Sequence, residues 1–214
     1  MQIAILLFDR LTALDAVGPY EVLRGIPSVD LRFVASDPGP KPTDHGALAL
    51  VAPHSLADVP APDVIVIPGG PGEAAARKDG RVTDWLRAAH ETTAWTTSVC
   101  TGSLLLGAAG LLEGRRATTH WTALDALAGF GATAVDDERV VVDGKLVTAA
   151  GVSAGIDMAL TLAARLAGPE VAQAIQLAIE YAPDPPFDSG STATADPALV
   201  GRLRAGSRFV SPRT

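Results

Sequence analysis

Two short runs of uninterrupted apolar residues place the strongest constraint on the fold of this chain. Residues 2–8 read QIAILLF, and residues 64–67 read VIVI, which PGGPG follows at once. A strand exposed on one face alternates apolar and polar residues, whereas a parallel strand covered on both faces is apolar throughout. Both runs therefore predict strands of a parallel sheet with helices on each side.

Weaker signals complete an alternating pattern of strands and helices. LRFVA at residues 31–35 and AWTTSV at residues 94–99 predict two more strands. The segment before the last of these has the i, i+3, i+4, i+7 spacing of an amphipathic helix, carried by Val82, Trp85, Leu86 and Ala89. Strands that alternate with helices predict βαβ units and hence an α/β fold with a mostly parallel sheet.

The second half of the chain predicts a hairpin and two helices. Residues 139–151 read RVVVDGKLVTAAG, in which Asp143-Gly144 suits the centre of a type I′ turn. Ser153 is expected to cap the first helix, and Gly168-Pro169 to end it. The apolar positions expected to face the core are Ile156, Leu160, Ala163 and Leu166 in the first helix and Val171, Ile175, Ala178 and Ile179 in the second.

The composition changes after Tyr181, where the chain reads APDPPFDSGSTATADP. This change predicts one α/β domain over residues 1–181 and a Pro-rich C-terminal arm over residues 182–214, which starts as an extended segment. The chain has 214 residues, of which 48% are hydrophobic, enough for one sizeable core. The arm ends in a short basic segment that contains Arg202, Arg204, Arg208 and Arg213.

Charge and cysteine content exclude several classes of partner and cofactor. The net charge of −7 argues against nucleic acid or an anionic membrane surface as the main partner. A single cysteine cannot form an intramolecular disulfide or build a zinc site alone, and the four histidines show no ligand spacing with acidic residues, so we expect no metal. The apolar N-terminus lacks a basic leader and a small-residue cleavage site and is too short to span a bilayer, which predicts a cytoplasmic protein.

The only cysteine, Cys100, stands in TTSVCTGSLLLG at residues 96–107. A strand that enters a glycine-containing helix start through one residue has the geometry of a nucleophile elbow, and a helix N-terminus beneath the sulfur would favour the thiolate. Free cysteines are also among the most buried residues, so an inert packing role is the other interpretation. Spacing alone leaves both open.

Two further junctions follow predicted strands, at the sheet edge where α/β proteins bind their ligands. The Gly69–Gly72 segment reads GGPG, and its backbone N–H groups can supply an oxyanion-hole donor or simply form a tight turn. Asp15 comes shortly after the first strand, where it either caps a helix or exchanges protons with the thiol. Partial burial beside a thiolate would raise the pKa of this carboxyl and make it a usable acid.

Two weaker candidates complete the survey. His120, in ATTHW, is the only histidine near a predicted strand end, and it is either a structural hydrogen-bonding group or part of the site. The segment GVSAG at residues 151–155 formally matches GxSxG. It follows a hairpin strand, and no acid–histidine pair accompanies it, so a serine hydrolase is disfavoured.

Four segments together resemble the ThiJ/PfpI-like superfamily, within the class I glutamine amidotransferase-like group. They read FDRLTALDAVGPYEVL, VIVIPGGPG, SVCTGSLLLGAAGLLEGRRATTHW and VTAAGVSAGIDMAL, in that order, and the resemblance extends over residues 1–181. It implies a flavodoxin-like three-layer sandwich, a nucleophilic cysteine on a strained elbow, an acidic residue after the first strand and a homodimer. On this resemblance Cys100 is expected to be a nucleophile.

Two positions, the acidic residue and the residue after the cysteine, distinguish the activities found within this superfamily. Members that act as proteases or deglycases carry Glu at the acidic position and often His after the cysteine, whereas this chain has Asp15 and Thr101. With the tail IEYAPDPPFDSGS, these residues resemble the isonitrile hydratases, which are hydro-lyases that convert an isonitrile and water into an N-substituted formamide. The resemblance implies catalytic roles for Asp15, Cys100 and Thr101, with Gly70, Gly69 and His120 at the substrate and no cofactor.

The proposed reaction is covalent. Cys100 would add to the isonitrile carbon to give a thioimidate, and Asp15 would act as acid and base. The alternatives are a glyoxalase or deglycase of the same superfamily and a non-enzymatic sensor based on oxidation of the cysteine. The same domain also begins many AraC-type regulators, but the chain after Tyr181 offers too little for their helix-turn-helix units.

Overall fold

The computed structural model describes residues 1–209 and shows an α/β fold. Its strands are β1 (Gln2–Leu6), β2 (Asp30–Ala35), β3 (Gly39–Pro42), β4 (Ala49–Ala52), β5 (His54–Ser55), β6 (Val64–Ile67), β7 (Trp95–Val99), β8 (Arg116–Ala117), β9 (Thr133–Ala134), β10 (Val140–Asp143) and β11 (Leu146–Ala149). Its α-helices are α1 (Ala13–Leu23), α2 (Glu73–Ala76), α3 (Gly80–Thr92), α4 (Ser103–Ala108), α5 (Leu124–Leu127), α6 (Ala154–Ala167), α7 (Pro169–Ala178) and α8 (Pro197–Ala205).

Seven strands form the central sheet in the order β10-β11-β7-β6-β1-β2-β5. Every neighbouring pair is parallel except β10–β11, which is the predicted hairpin. Helices α1, α6 and α7 pack together on one face of the sheet, while α3 and α4 pack together on the other. The mostly parallel three-layer sandwich predicted from the sequence is thereby confirmed.

The apolar runs form the centre of this sheet. Strand β6 has the predicted bounds, and β1, β2 and β7 differ from them by one or two residues. All four residues of β6 are fully buried because both of its faces are covered. The predicted amphipathic face of α3 is buried as well, so the periodicity also identified the core side of this helix.

The β10–β11 turn differs from the prediction. Asp143 pairs with Leu146, so the central residues are Gly144 and Lys145. Only Gly144 has a positive φ, of 61°. A type I′ turn needs a positive φ at both central residues, whereas glycine at the first position alone is typical of type II′.

Helix α6 also departs from the prediction at its start and in its buried face. Ser153 precedes the helix but its side chain makes no capping hydrogen bond, because Oγ accepts one from Arg139 Nη2 at 2.9 Å. The most buried residues are Ala154, Gly155, Met158, Ala159, Leu162 and Ala163, so of the four predicted core positions only Ala163 is fully buried. Helix α6 packs against α1 through both Gly155, which lies close to the ring of Pro19, and Ile156, which lies close to Gly18.

Within the described residues, the C-terminal arm contains one helix, α8, which begins at the end of the Pro-rich stretch and continues into the basic segment. The Asp196 side chain accepts hydrogen bonds from the N–H groups of Ala198 and Leu199, and Pro197 occupies the first helical position. An acidic cap followed by proline is a recognised helix start, so Asp196-Pro197 is a local sequence signal for α8. Arg213, predicted to belong to the basic end, lies outside the described residues. Within residues 1–209, no helix has the length and apolarity needed to cross a membrane.

Candidate active site

Cys100 lies where β7 ends, in a strained backbone conformation. Its φ is +56°, a region that non-glycine residues rarely occupy. Its N–H donates to Ala150 O at 2.8 Å, and its carbonyl accepts from Thr119 Oγ1 at 2.9 Å. These two hydrogen bonds, one to each backbone polar group of Cys100, hold the strained residue in place.

Asp15 is brought to the same edge of the sheet by α1. It occupies the third position of that helix rather than the cap, so the capping role that the sequence also allowed is excluded. The side chain is fully buried; Oδ2 accepts from Gly69 N–H at 2.9 Å, and Oδ1 has no nitrogen or oxygen partner among residues 1–209. Burial raises the pKa of Asp15 to about 7, although hydrogen bonds from Gly69 and from the Cys100 thiol lower it.

The backbone of the glycine loop, residues 69–72, hydrogen-bonds to the side chains of Asp15 and Thr101. Gly69 N–H donates to Asp15, and Gly70 N–H donates to Thr101 Oγ1 at 3.0 Å. A Cβ at Gly69 would lie 2.5 Å from Thr101 N, and Gly70 has a φ of +127°. Glycine is required at both positions because the backbone approaches so closely. Gly70 N–H, which we expected to donate to substrate, donates to the Thr101 hydroxyl in this structure.

The electrostatics of the thiol differ from the expectation of a stabilised thiolate. Cys100 is only 5% exposed, and burial raises its pKa well above the ordinary value, as does the adjacent Asp15 carboxylate. The N–H and hydroxyl of Thr101 lower it, but they do not offset burial. The α-helix that follows begins only at Ser103, has six residues and comes after a 3₁₀ turn. The prediction of a lowered pKa was wrong because it left out desolvation.

A cavity of about 400 Å³ lies beside the elbow. Thr119 and Ala150, which hydrogen-bond to the backbone of Cys100, contribute to its wall. Trp121 and His120 line it too, and the His120 Nδ1 lies 2.8 Å from Thr122 Oγ1. Its remaining wall is formed by Thr118, Leu124, residues 136–139, residues 151–153 and residues 190–192.

The structure also shows the surroundings of two further residues considered in the sequence. Ile156, expected on the core-facing side of its helix, lies against Gly18 of α1. Ser153 of the GVSAG segment is exposed and bonded to Arg139, which gives a serine-hydrolase triad no support. Within the part of the chain that the structure describes, no group of three or more histidine, cysteine or acidic residues is placed to hold a metal ion.

Comparison with known proteins identifies the family. The model of the DJ-1/PfpI family matches residues 1–165, more than three quarters of the chain. The chain belongs to the DJ-1/PfpI family. The flavodoxin-like fold implied by the four sequence segments is thereby confirmed, and so is the resemblance to the ThiJ/PfpI-like superfamily.

Three known proteins are similar in sequence or structure to this chain. It is 48% identical to the isonitrile hydratase of Pseudomonas putida over 204 residues, which cover 95% of this chain and 89% of that protein. A ThiJ/PfpI family protein from Pseudomonas syringae, known from a crystal structure, superposes with a TM-score of 0.91 at 39% identity, covering 95% and 84% of the two chains. The HTH-type transcriptional regulator CdhR of Pseudomonas aeruginosa is 40% identical over 92 residues, which are 42% of this chain and 27% of the regulator.

Several residues around this DJ-1/PfpI site were not predicted from the sequence. Thr119 and Ala150 hold the elbow, and Arg208 of the C-terminal arm reaches the glycine loop. Thr119 stands next to His120 in ATTHW, so the resemblance pointed to its neighbourhood. Nothing in the sequence connects Arg208 to a loop 138 residues away.

The raised pKa of Asp15 has a consequence for stability. The folded protein keeps the Asp15 carboxyl protonated up to about pH 7, whereas the unfolded chain releases this proton near pH 3.8. The protonated carboxyl therefore makes its full contribution to the free energy of unfolding below pH 4, and this contribution is lost as the pH rises to 7. The difference between these pKa values corresponds to at most about 4 kcal/mol. The Asp15→Asn variant has an uncharged side chain at this position at every pH. We therefore expect the difference in free energy of unfolding, variant minus wild type, to be larger at pH 8 than at pH 4.5.

Urea unfolding at the two pH values, followed by circular dichroism, measures this difference. Asp188→Asn removes the same charge from an exposed position on the arm and serves as the matched control. An advantage of Asp15→Asn over the wild type that stays constant between pH 4.5 and pH 8 would contradict the raised pKa.

Proposed function

We propose that this protein is an isonitrile hydratase, which adds water to an isonitrile, R–N≡C, to give the formamide R–NH–CHO. The observation that carries the proposal is the buried pair of Asp15 and Cys100, in which a carboxyl with a pKa of about 7 faces a neutral thiol. The 48% identity to the isonitrile hydratase of Pseudomonas putida over nearly the whole chain supports the same activity.

The chemistry of an isonitrile suits this pair. Its terminal carbon is nucleophilic at first and becomes electrophilic once it is protonated. An acid and a nucleophile must therefore act on one and the same carbon. Near neutral pH, Asp15 can supply the proton because burial keeps a large fraction of its carboxyl protonated.

In the first step, Asp15 transfers its proton to the isonitrile carbon while the sulfur of Cys100 bonds to that carbon. The thiol proton passes to the Asp15 carboxylate, so the carboxyl is protonated again. The product is a thioimidate, R–N=CH–S–Cys100. Direct transfer between the two groups removes the need for a free thiolate, which burial disfavours.

In the second step, water attacks the thioimidate carbon. Asp15 takes a proton from the water and gives its own to the nitrogen, which leaves R–NH–CH(OH)–S–Cys100. The hydroxyl proton then returns to the sulfur through Asp15 as the C–S bond breaks and the formamide leaves. The reaction balances as isonitrile plus water, with no change of oxidation state.

Thr101 and the glycine loop orient the reacting groups. Gly70 N–H donates to Thr101 Oγ1, which leaves the hydroxyl hydrogen for the sulfur or for the nitrogen of the intermediate. Gly69 N–H holds one oxygen of Asp15 and leaves Oδ1 for proton transfer. The cavity beside Trp121 and His120 is the space we assign to the R group.

The purified protein, incubated with phenyl isonitrile, is expected to release N-phenylformamide, which chromatography measures. Parallel incubation with methylglyoxal, followed by assay of lactate, tests the glyoxalase alternative. Lactate without formamide would replace the proposal with that alternative. A peroxide-sensing role is disfavoured because sensor cysteines are exposed and have a low pKa, whereas Cys100 is 5% exposed and its pKa is raised.

A further inference from the structure

The C-terminal arm returns to the active site and ends on the glycine loop. Arg208 Nη1 donates to Pro71 O at 2.6 Å, and Nη2 donates to Gly70 O at 3.0 Å. Nη2 also lies 3.1 Å from Glu73 Oε1. One guanidinium group therefore joins two loop carbonyls and a carboxylate, the fork arrangement that arginine can make and lysine cannot.

Glu73 explains why a cation is needed at this position. Its side chain is 1% exposed, and burial raises its pKa, while Arg77 and Arg208 lower it. The Arg77 Nε lies 3.1 Å from Oε2, and neither carboxylate oxygen makes a well-directed hydrogen bond. Two cations, one directly after α2 and one from the arm, thus compensate a buried charge that directly follows the loop.

The other side of the loop is held by the connection between β1 and α1. Thr12 N–H donates to Gly69 O at 2.9 Å, and Gly72 N–H donates to Arg10 O at 3.0 Å. The contacts of Arg208 are made with the carbonyls of Gly70 and Pro71, which these bonds leave unrestrained. Among residues 1–209, only Glu73 N–H, at 3.1 Å from Gly70 O, makes a further hydrogen bond to these two carbonyls.

Further contacts fix the position of the arm. The Arg204 guanidinium lies 5.7 Å from the centre of the Trp121 ring, at the wall of the cavity. Phe209 packs against the hydrophobic core, and residues 190–192 form part of the cavity wall. The arm therefore reaches both the cavity and the loop that orients Asp15 and Thr101.

We propose that Arg208 is a positioning residue for the reaction: it fixes the Gly70–Pro71 segment, so that Gly69 and Gly70 hold Asp15 and Thr101 against Cys100. The C-terminal arm thereby completes the active site. The inference rests on the proposed function for its effect on turnover, but the restraint on the loop is independent of any substrate. A small displacement of a catalytic group is enough to slow a reaction strongly.

The test compares Arg208→Met with Arg202→Met, which removes an exposed arginine from the same arm. In Arg208→Met we expect kcat for phenyl isonitrile to fall by about tenfold with KM changed by less than about twofold, because reacting groups rather than the R-group cavity are displaced. Arg208→Lys should recover only part of the loss, and millimolar guanidinium chloride should partly rescue Arg208→Met. Arg202→Met should match the wild type in each measurement.

Loss of Arg208 leaves Glu73 with one counter-charge, so the double variant Glu73→Gln/Arg208→Met separates positioning from folding. This variant has no uncompensated carboxylate and is expected to unfold near the wild-type temperature while it keeps the tenfold loss. Wild-type kcat in this folded variant would overturn the proposal. The proposal would also be overturned if the fall in kcat of Arg208→Met matched the fraction of the variant that is unfolded and if guanidinium chloride did not restore any of the lost kcat.

Hydrogen exchange of the Gly69 and Gly70 amides, followed by mass spectrometry, gives a readout without substrate. Exchange should be several-fold faster in Arg208→Met than in Arg202→Met. If the wild type fails to hydrate isonitriles, the proposed function is wrong, and this exchange difference still decides the role of Arg208. Equal exchange in the two variants would refute the restraint on the loop even if the wild type is active.

Discussion

Cys100→Ala is expected to abolish formamide production from phenyl isonitrile, with a fall in kcat of at least about 10³-fold. The reason is that the variant cannot form the thioimidate, and a carboxyl alone leaves the protonated isonitrile carbon without a nucleophile. The elbow itself should persist because its backbone is held by Ala150 and Thr119. Removing the buried sulfur should cost only about 1 kcal/mol of stability.

Two measurements make the Cys100 prediction specific. Intact-protein mass spectrometry of the wild type, quenched during turnover, should show a species heavier by one isonitrile, and Cys100→Ala should lack it. Cys100→Ser keeps the shape of the side chain but replaces the thiol with a smaller, more polar hydroxyl that is a much weaker nucleophile, and we expect it to be nearly as inactive. Turnover of Cys100→Ala within tenfold of the wild type would disprove the covalent mechanism.

Asp15→Asn is expected to reduce kcat by about 10² to 10⁴-fold, the range for loss of a general acid–base group. The substitution preserves the shape of the side chain, and the amide oxygen can still accept the Gly69 N–H. What is lost is the proton that must reach the isonitrile carbon and later shuttle between water, nitrogen and sulfur. Because Cys100 remains, the thiol should still react slowly with iodoacetamide, which shows that the nucleophile is present.

The pH dependence of the wild type gives an independent test of Asp15. The reactive form carries the protonated carboxyl, so kcat/KM should be level below the pKa of about 7 and should decline tenfold per pH unit above it. Asp15→Asn should show no such decline in its residual rate. A wild-type rate that increases through pH 7 would mean that the deprotonated carboxyl starts the reaction, and the first step would have to be rewritten.

Local sequence was sufficient to predict the central strands and the elbow. VIVI reads as a strand buried on both faces because covering both faces removes every polar residue from the run. Cys100 reads as an elbow because a strand, one residue and a glycine-containing helix start occupy consecutive positions, and the structure shows that residue with a φ of +56°. In both cases the sequence pattern and the structural feature that it predicts involve the same few neighbouring residues.

The buried face of α6 and the hairpin turn were mispredicted for a different reason. The apolar positions Ile156 and Leu160 indicated one helix face, yet the fully buried face is a neighbouring one that includes Met158 and Leu162. At the turn, the strand register placed Gly144 first and Lys145 second, which the dipeptide Asp143-Gly144 did not indicate. Register and helix packing depend on distant partners that no local pattern specifies.

The sequence by itself determined the sheet, the elbow and the set of residues that the strand ends bring together. Only the tertiary structure decided their chemistry: that Asp15 faces the thiol instead of capping α1, that Gly70 serves Thr101, and that burial raises the pKa of Cys100. It also decided that Arg208 reaches the glycine loop across 138 residues. Desolvation and hydrogen bonding depend on which groups surround an atom in space, and chain folding assembles those groups from distant segments.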